Sequence, residues 1–319
     1  MLLLAAPAPV HAQVFETVGV RALGMGGAFV AVADDATANY WNPAGLTNVF
    51  SSAVLEVQRI ETRLGLDPSL EEGTRDRVTF ASLAGPTVGL SYYRLRSRQV
   101  ARVTGDGVDG GTTASLTSLV THHAGITLVQ PFGPDLVVAT VVKVVRGTVA
   151  VGSGDGGAPV GALFDQMSEL SGRSTTRLDL NAGVMIGVGA VRVGVVGRNL
   201  REPEFAVSDD GTLSLRRQVR AGLSVRPTGS LVVAVDADLS SVATVAGPRR
   251  NIAVGAEQRL GRLVVRAGGR VNVEDDDPDS VVAFGLSLEV LSGFWLDGQM
   301  TGGGDDGDRG WGVSMRVGV

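Results

Sequence analysis

The feature that most limits what this chain can fold into is a two-residue alternation of apolar and polar side chains, repeated along most of its length after residue 50. Successive side chains of a strand point to opposite faces, so such a segment makes one apolar and one polar face. Residues 177 to 188 are the clearest case. There Leu178, Leu180, Ala182, Val184, Ile186 and Val188 alternate with Arg177, Asp179, Asn181, Gly183, Met185 and Gly187. Residues 216–226, 263–272 and 311–319 repeat the design. Counting all such segments gives fourteen candidate strands, beginning near Ser51, Asp76, Thr87, Leu116, Asp135, Thr175, Val191, Leu213, Leu231, Arg250, Leu263, Val281, Phe294 and Arg309. Most run 9 to 13 residues, which suits a tilted strand crossing a bilayer. Helical apolar spacing is almost absent, and no run approaches the roughly 18 apolar residues of a spanning helix.

The connections test this independently. Short joints at Gly85-Pro86, Pro131 to Pro134, Gly189-Ala190, Pro227 to Ser230, Gly261-Arg262 and Leu291 to Gly293 alternate with longer polar ones. The longer ones are Gly65 to Arg75, Gln99 to Ser115, Val149 to Ser174, Arg201 to Thr212, Ser240 to Arg249, Glu274 to Ser280 and Gly302 to Asp308. An even strand count with short turns on one side and long loops on the other is the habit of outer-membrane barrels. A soluble sandwich alternates residues equally well but has no reason to keep this parity.

Charge placement agrees. Arg177, Asp179, Arg220, Asp236, Asp238, Glu257, Arg266, Arg270 and Arg316 all fall on the polar face of their strands, with Arg259, Glu289 and Asp297 beside them. In a membrane barrel that face lines the lumen, where charges of both signs must pair because an isolated one is costly to bury. A solvated sandwich face is the alternative. Aromatic residues at 5% make a thin interfacial girdle, resting on Tyr92, Phe132, Phe284, Phe294, Trp295 and Trp311. Residues 136–145 are apolar on both faces, as in a doubly buried strand.

Ahead of the strands lies a segment of different character, Gly19 to Leu46. Small residues crowd its first half, including Gly24, Gly26 and Gly27, and its second half carries two helix-start signals. Asp34 or Asp35 can accept the free amides of a turn through Ala36 to Trp41. Asn42 before Pro43 repeats the device, with Gly45 ending a short turn. Such a compact, bent segment has too little apolar surface to fold alone and needs a cavity to sit in. Residues 1–12 read as the remnant of a secretory leader, with Val10-His11-Ala12 as an approximate cleavage site.

Composition excludes several functions. A net charge of −5 without a basic stripe argues against nucleic acid as partner. There is no Cys, and outside the leader only His122 and His123, which as strand neighbours point to opposite faces. No catalytic arrangement, cofactor site or metal site is expected. The acidic loops Glu274 to Asp279 and Asp305 to Asp308 read as solvated loops, with calcium the alternative. Residues 160–170 form a candidate amphipathic helix through Val160, Leu163, Phe164, Met167 and Leu170, capping the barrel mouth or lining an apolar entry site.

Three stretches carry a resemblance: Arg21 to Ala28 (RALGMGGA), Ala33 to Ala36 (ADDA) and Asn42 to Leu46 (NPAGL). Together with the strand pattern they resemble the N-terminal signature of the FadL-like outer-membrane family, which includes fatty-acid and aromatic-hydrocarbon transporters and PorV-type barrels of a secretion system. Arg198-Asn199-Leu200 and Trp311-Gly312-Val313 resemble shorter, conjugation-associated relatives.

The resemblance implies a closed antiparallel transmembrane β-barrel of about fourteen strands in the bacterial outer membrane, residues 51–319, with an N-terminal helical plug over residues 13–50. Gly24, Gly26, Gly27, Asp34, Asp35, Asn42, Pro43 and Gly45 are then the plug and gate residues. The expected function is gated passage of small hydrophobic molecules, with outer-membrane lipid and a small hydrophobic ligand as partners. The alternative is a PorV-like barrel that engages a secreted protein or lipoprotein.

Overall fold

The computed structural model describes residues 18–64, 72–104, 112–207, 211–244, 247–274, 280–304 and 308–318. The expected leader and the acidic residues 275–279 and 305–307 lie outside the described residues. The chain opens with short helical pieces, α1 (Val20–Gly24), α2 (Ala38–Trp41) and a 3-10 helix (Pro43–Asn48). The strands follow: β1 (Ser52–Leu64), β2 (Glu72–Ala84), β3 (Val88–Thr104), β4 (Thr112–Phe132), β5 (Leu136–Asp155), β6 (Arg173–Val188), β7 (Val191–Arg198), β8 (Glu204–Ala206), β9 (Thr212–Ser214), β10 (Gln218–Thr228), β11 (Leu231–Asp238), β12 (Val242–Thr244), β13 (Gly247–Arg249), β14 (Asn251–Leu260), β15 (Leu263–Asn272), β16 (Ser280–Leu291), β17 (Phe294–Gly303) and β18 (Arg309–Gly318), with α3 (Val160–Gln166) between β5 and β6.

Fourteen of these strands close an antiparallel barrel, and β1 against β18 completes the ring with Ser52 opposite Gly318 and Glu61 opposite Arg309. Closure removes every sheet edge, so each backbone group of the ring finds a partner without water. The alternation then sorts side chains by face. Leu55, Val57, Val193, Val254, Phe284, Leu286, Met300 and Val313 lie exposed outside, whereas Glu56, Gln58, Arg220, Asp236, Arg266 and Asp297 are buried inside. A barrel with apolar side chains outward and charges inward is matched to lipid, not to water.

Two features depart from the expected layout. β4 and β5 run 21 and 20 residues, well past the expected 9 to 13, and stay paired from Thr113 opposite Asp155 to Phe132 opposite Leu136. They exceed the roughly 9–11 residues that a tilted strand needs to cross a bilayer, and α3 packs on the outward face of β2, β3 and β4, burying Val160, Leu163, Phe164 and Met167 against Val100, Ala114 and Leu116. The helix read from spacing is therefore present as a flank on the extended strands. The other departure is at residue 213. Leu213 does not open a barrel strand but sits in the small β8–β9 hairpin, which turns Phe205, Leu213 and Leu215 into the apolar interior.

Candidate functional site

The site is the interior of the ring, and it is occupied by the chain's own first described residues. Every residue from 18 to 46 except Asp34 is buried, and the segment is held from all around the wall. The Gln58 and Glu56 side chains accept from the Gly19 and Val20 amides at 3.0 and 3.2 Å. Asp236 Oδ2 accepts from the Phe29 and Val30 amides at 2.8 and 2.9 Å. The Ser224 hydroxyl donates to Ala31 O at 2.9 Å, and Asn42 Nδ2 donates to Val184 O at 3.1 Å. Asn39 Nδ2 donates to Ser82 Oγ at 2.7 Å, while its Oδ1 accepts from Thr127. A segment too short for a core of its own is thus completed by polar groups of the wall.

The two carboxylates singled out from the sequence divide their labour. Asp35 Oδ1 accepts from the Thr37 amide at 2.9 Å and caps the turn into α2. Asp34 instead pairs with Arg21 at 2.6 Å and with Arg226. Asn42 Oδ1 accepts from the Ala44 amide at 3.2 Å with Pro43 in the first turn of the 3-10 helix, as the motif predicts. That helix continues to Asn48, so Gly45 lies within it and does not end it. A side chain at Gly45 would collide with Ala33 O, which explains the glycine by proximity. Gly24 faces Gly285 of the wall, and Gly26 and Gly27 form the turn after α1 with φ of 68° and 93°.

The charges of the lumen gather into separate groups. At the end carrying the termini, Arg21 grips Glu257 with two prongs, at 2.8 and 2.7 Å, and reaches Asp35 at 2.8 Å. Arg266 adds a contact to Glu257 at 2.5 Å, and Arg316 lies 3.3 Å from Asp297. Burial lowers the affinity of the Arg21 guanidinium for its proton, but Asp34, Glu257 and Asp35 more than offset this and raise it well above the ordinary value. Burial likewise raises the Asp35 carboxyl, and Arg21 and Arg316 overcome that and hold it below the ordinary value. A polar cavity of about 310 Å³ opens beside this group, bounded by Arg21, Asp34, Glu257, Arg266 and Arg316.

Midway along the lumen, Arg220 lies 3.6 Å from both Asp236 and Asp238 and 5.6 Å from the Trp41 ring centre. At the far end Asp308 is clamped by Arg270 at 2.7 Å and Arg249 at 2.8 Å. Asp179 sits apart on the opposite wall, 3.2 Å from Lys143. Arg177 joins none of these groups: it shares the inward register but lies exposed near the outer end of β6.

Sequence reading did not place in the lumen either Lys143, a cation within the run 136–145, or Arg198, singled out only for a resemblance, whose guanidinium lies 4.5 Å from the Tyr40 ring centre. Both have inward register, which alternation within their own strands could have disclosed.

The inner wall is chemically two-sided. Around β7 to β18 it carries most of the ion pairs just described. Around β1 to β6 an apolar patch of Val54, Phe80, Leu95, Leu119, Val145 and Met185 is buried beside Glu56, Gln58 and the Lys143–Asp179 pair.

A model described as "F plasmid transfer operon, TraF, protein" matches residues 151–238. No curated protein matches the chain. Among solved structures, a Pseudomonas aeruginosa FadL homologue superposes with a TM-score of 0.66 at 12% identity, covering 96% of this chain and 99% of its own. The Ralstonia pickettii toluene transporter TbuX gives 0.64 at 13% identity, covering 94% and 98%. The CymD monoaromatic hydrocarbon channel gives 0.62 at 15% identity, covering 96% and 99%. At these identities the likeness is one of fold.

Proposed function

Because this chain folds as a FadL-like outer-membrane barrel, we propose that it passes small hydrophobic molecules across that membrane, with residues 18–49 as a plug whose displacement opens the way. The observation that carries this reading is an apolar patch of the inner wall, Phe80, Leu95, Leu119 and Val145, buried in one cluster with Phe29, Tyr40, Trp41 and Leu46 of the plug. A purely aqueous pore has no use for such a surface, whereas an apolar solute loses little by leaving lipid for it. The similar structures named as a toluene transporter and a monoaromatic hydrocarbon channel support the same cargo class. Opening requires the polar ties of the plug to part on one side.

The test is uptake. Liposomes carrying the purified full chain should take up labelled toluene or fatty acid faster than empty ones, and equal rates would end the transport reading. A second reading, a barrel that engages a secreted or conjugation-associated protein, is favoured by the TraF match alone. Capture of a stoichiometric protein partner from a detergent extract, with no uptake by liposomes, would favour it.

A further inference from the structure

The inward side of the barrel carries most of the charge, yet one arc of the outside carries a second, cationic set. Directly opposed residues on neighbouring strands share a face, so the register traces its rows. One row runs Trp311, Arg59, Arg77, Arg96 across β18, β1, β2 and β3. The row on its terminal side runs Val57, Thr79, Arg94, His122, Arg146 as far as β5. That these rows face outward follows from their alternates Gln58, Val78, Leu95 and Thr121, which are all buried inside, while Val57 and Trp311 are 44% and 48% exposed. One step further toward the termini the rows become apolar, with Leu55, Ala81, Tyr92 and Ala124 in register.

The arginines therefore stand about 7 to 14 Å along the strands from the lipid-facing belt, on the side of the long loops. Few carboxylates answer them. Glu61 pairs with Arg59 and Arg75, and Asp165 of α3 lies 3.4 Å from Arg75. Among the described residues no carboxylate pairs with Arg77, Arg94 or Arg96, and the Arg94 Nε is buried with no hydrogen-bond partner. Followed the other way past Trp311, the same row becomes apolar, with Met300 of β17 and Phe284 of β16.

Two grooves lie one beneath the other on this arc. The upper, about 400 Å³, is bounded by Val57, Arg59, Arg77, Arg94, Arg96 and Trp311. The lower, about 680 Å³, has Ala53, Ala81 and Ala124 among its small residues and Leu55, Leu90 and Met315 among its larger ones. Guanidinium groups at headgroup depth above an apolar channel match one molecule in both halves: phosphate above, acyl chain below.

We propose that this outward arc of β1, β2, β3 and β18 is a binding site for a phosphorylated lipid of the outer leaflet, Arg77, Arg94 and Arg96 taking the phosphate and the alanine-floored groove an acyl chain. The site rests on the orientation of the barrel in the membrane and is independent of any transport through it.

The test uses the full chain in dodecyl maltoside micelles, with bisphosphorylated lipid A as probe and binding counted by native mass spectrometry. The same lipid stripped of its phosphates, and inorganic phosphate alone, serve as the other arms. The phosphorylated lipid should bind at least tenfold more tightly than either, and more weakly as salt rises. The triple variant Arg77→Gln/Arg94→Gln/Arg96→Gln should lose at least tenfold, whereas Arg177→Gln/Arg201→Gln/Arg217→Gln, exposed elsewhere and equal in charge, should not. Equal binding of the dephosphorylated lipid, or equal loss in both triple variants, would overturn the proposal. So would phosphate binding as tightly as the lipid. The comparison among ligands uses the unaltered chain and stands even if a variant fails to fold.

Discussion

Arg21 and Glu257, 236 residues apart in the chain, meet inside the barrel in a two-pronged ion pair, Nε to Oε2 at 2.8 Å and Nη2 to Oε1 at 2.7 Å. The parallel geometry fixes the α1 end of the inner segment to β14, and both side chains are nearly enclosed, 9% and 12% exposed. In such surroundings the pair matters chiefly through the cost of breaking it, since the orphaned partner stays buried without its counter-charge.

Glu257→Gln should therefore destabilise the barrel by about 3 kcal/mol, the usual scale for removing one member of an enclosed pair. The measurement is the temperature at which the unboiled protein loses its compact migration in a detergent gel. In a cycle with Arg21→Gln the two losses should not add, and full additivity would show that the contact contributes nothing of its own.

Gly26→Ala should displace the inner segment. The residue has φ of 68°, and an added methyl carbon would sit 2.5 Å from the Gly269 amide of β15. Backbone strain alone costs about 1–3 kcal/mol, and the collision with the wall adds to it. Gly229→Ala, which meets open space, is the control. Limited proteolysis within residues 18–49 should accelerate in the first variant and stay unchanged in the second.

Asp236→Ala should loosen the same segment from the other side, because the Phe29 and Val30 amides lose their shared acceptor. An unpaired buried amide costs about 1–3 kcal/mol. If the segment is the plug, uptake of labelled toluene into liposomes should rise several-fold with the barrel still closed. Unchanged uptake alongside faster proteolysis would separate mobility of the segment from gating.

The Asp308 clamp should give acid sensitivity. Burial raises this carboxyl, but Arg249 and Arg270 beside it, with the Thr62 hydroxyl, hold it far below the ordinary carboxylate value. Its folded pKa lies below the unfolded value of about 3.9. The stabilisation is therefore complete above that value and is lost as pH falls below it. The melting temperature of the wild type should exceed that of Asp308→Asn at pH 7, and the gap should narrow below about pH 4. A gap constant down to pH 3 would dismiss the clamp.

Much of this architecture was legible before any coordinates. Alternation over residues 177–188, 216–226 and 263–272 gave strands with the correct face inward, because a period of two leaves no other way to separate valine from arginine. The parity of loop lengths gave the side of the short turns, and Val160, Leu163, Phe164 and Met167 gave a helix. Leu213 misled because a three-residue hairpin strand is too short for periodicity to distinguish from the start of a long one. Lys143 was passed over because hydropathy of the whole run outweighed a single inward position.

By itself the sequence determined the class of object: a strand-built wall with an oily side and a charged side, and a glycine-rich leading segment unable to fold alone. Alternation and turn chemistry are local, so they can be read from neighbours in the chain. Only the tertiary structure decided which charges meet. Arg21 finds Glu257, and Arg249 and Arg270 find Asp308, only when β18 closes on β1 and the strands take their register. Closure likewise brought Arg59, Arg77, Arg94 and Arg96 to one outward arc above one groove. Their alternation was visible in the sequence, but adjacency across strands depends on pairing over long loops, which local preference does not encode.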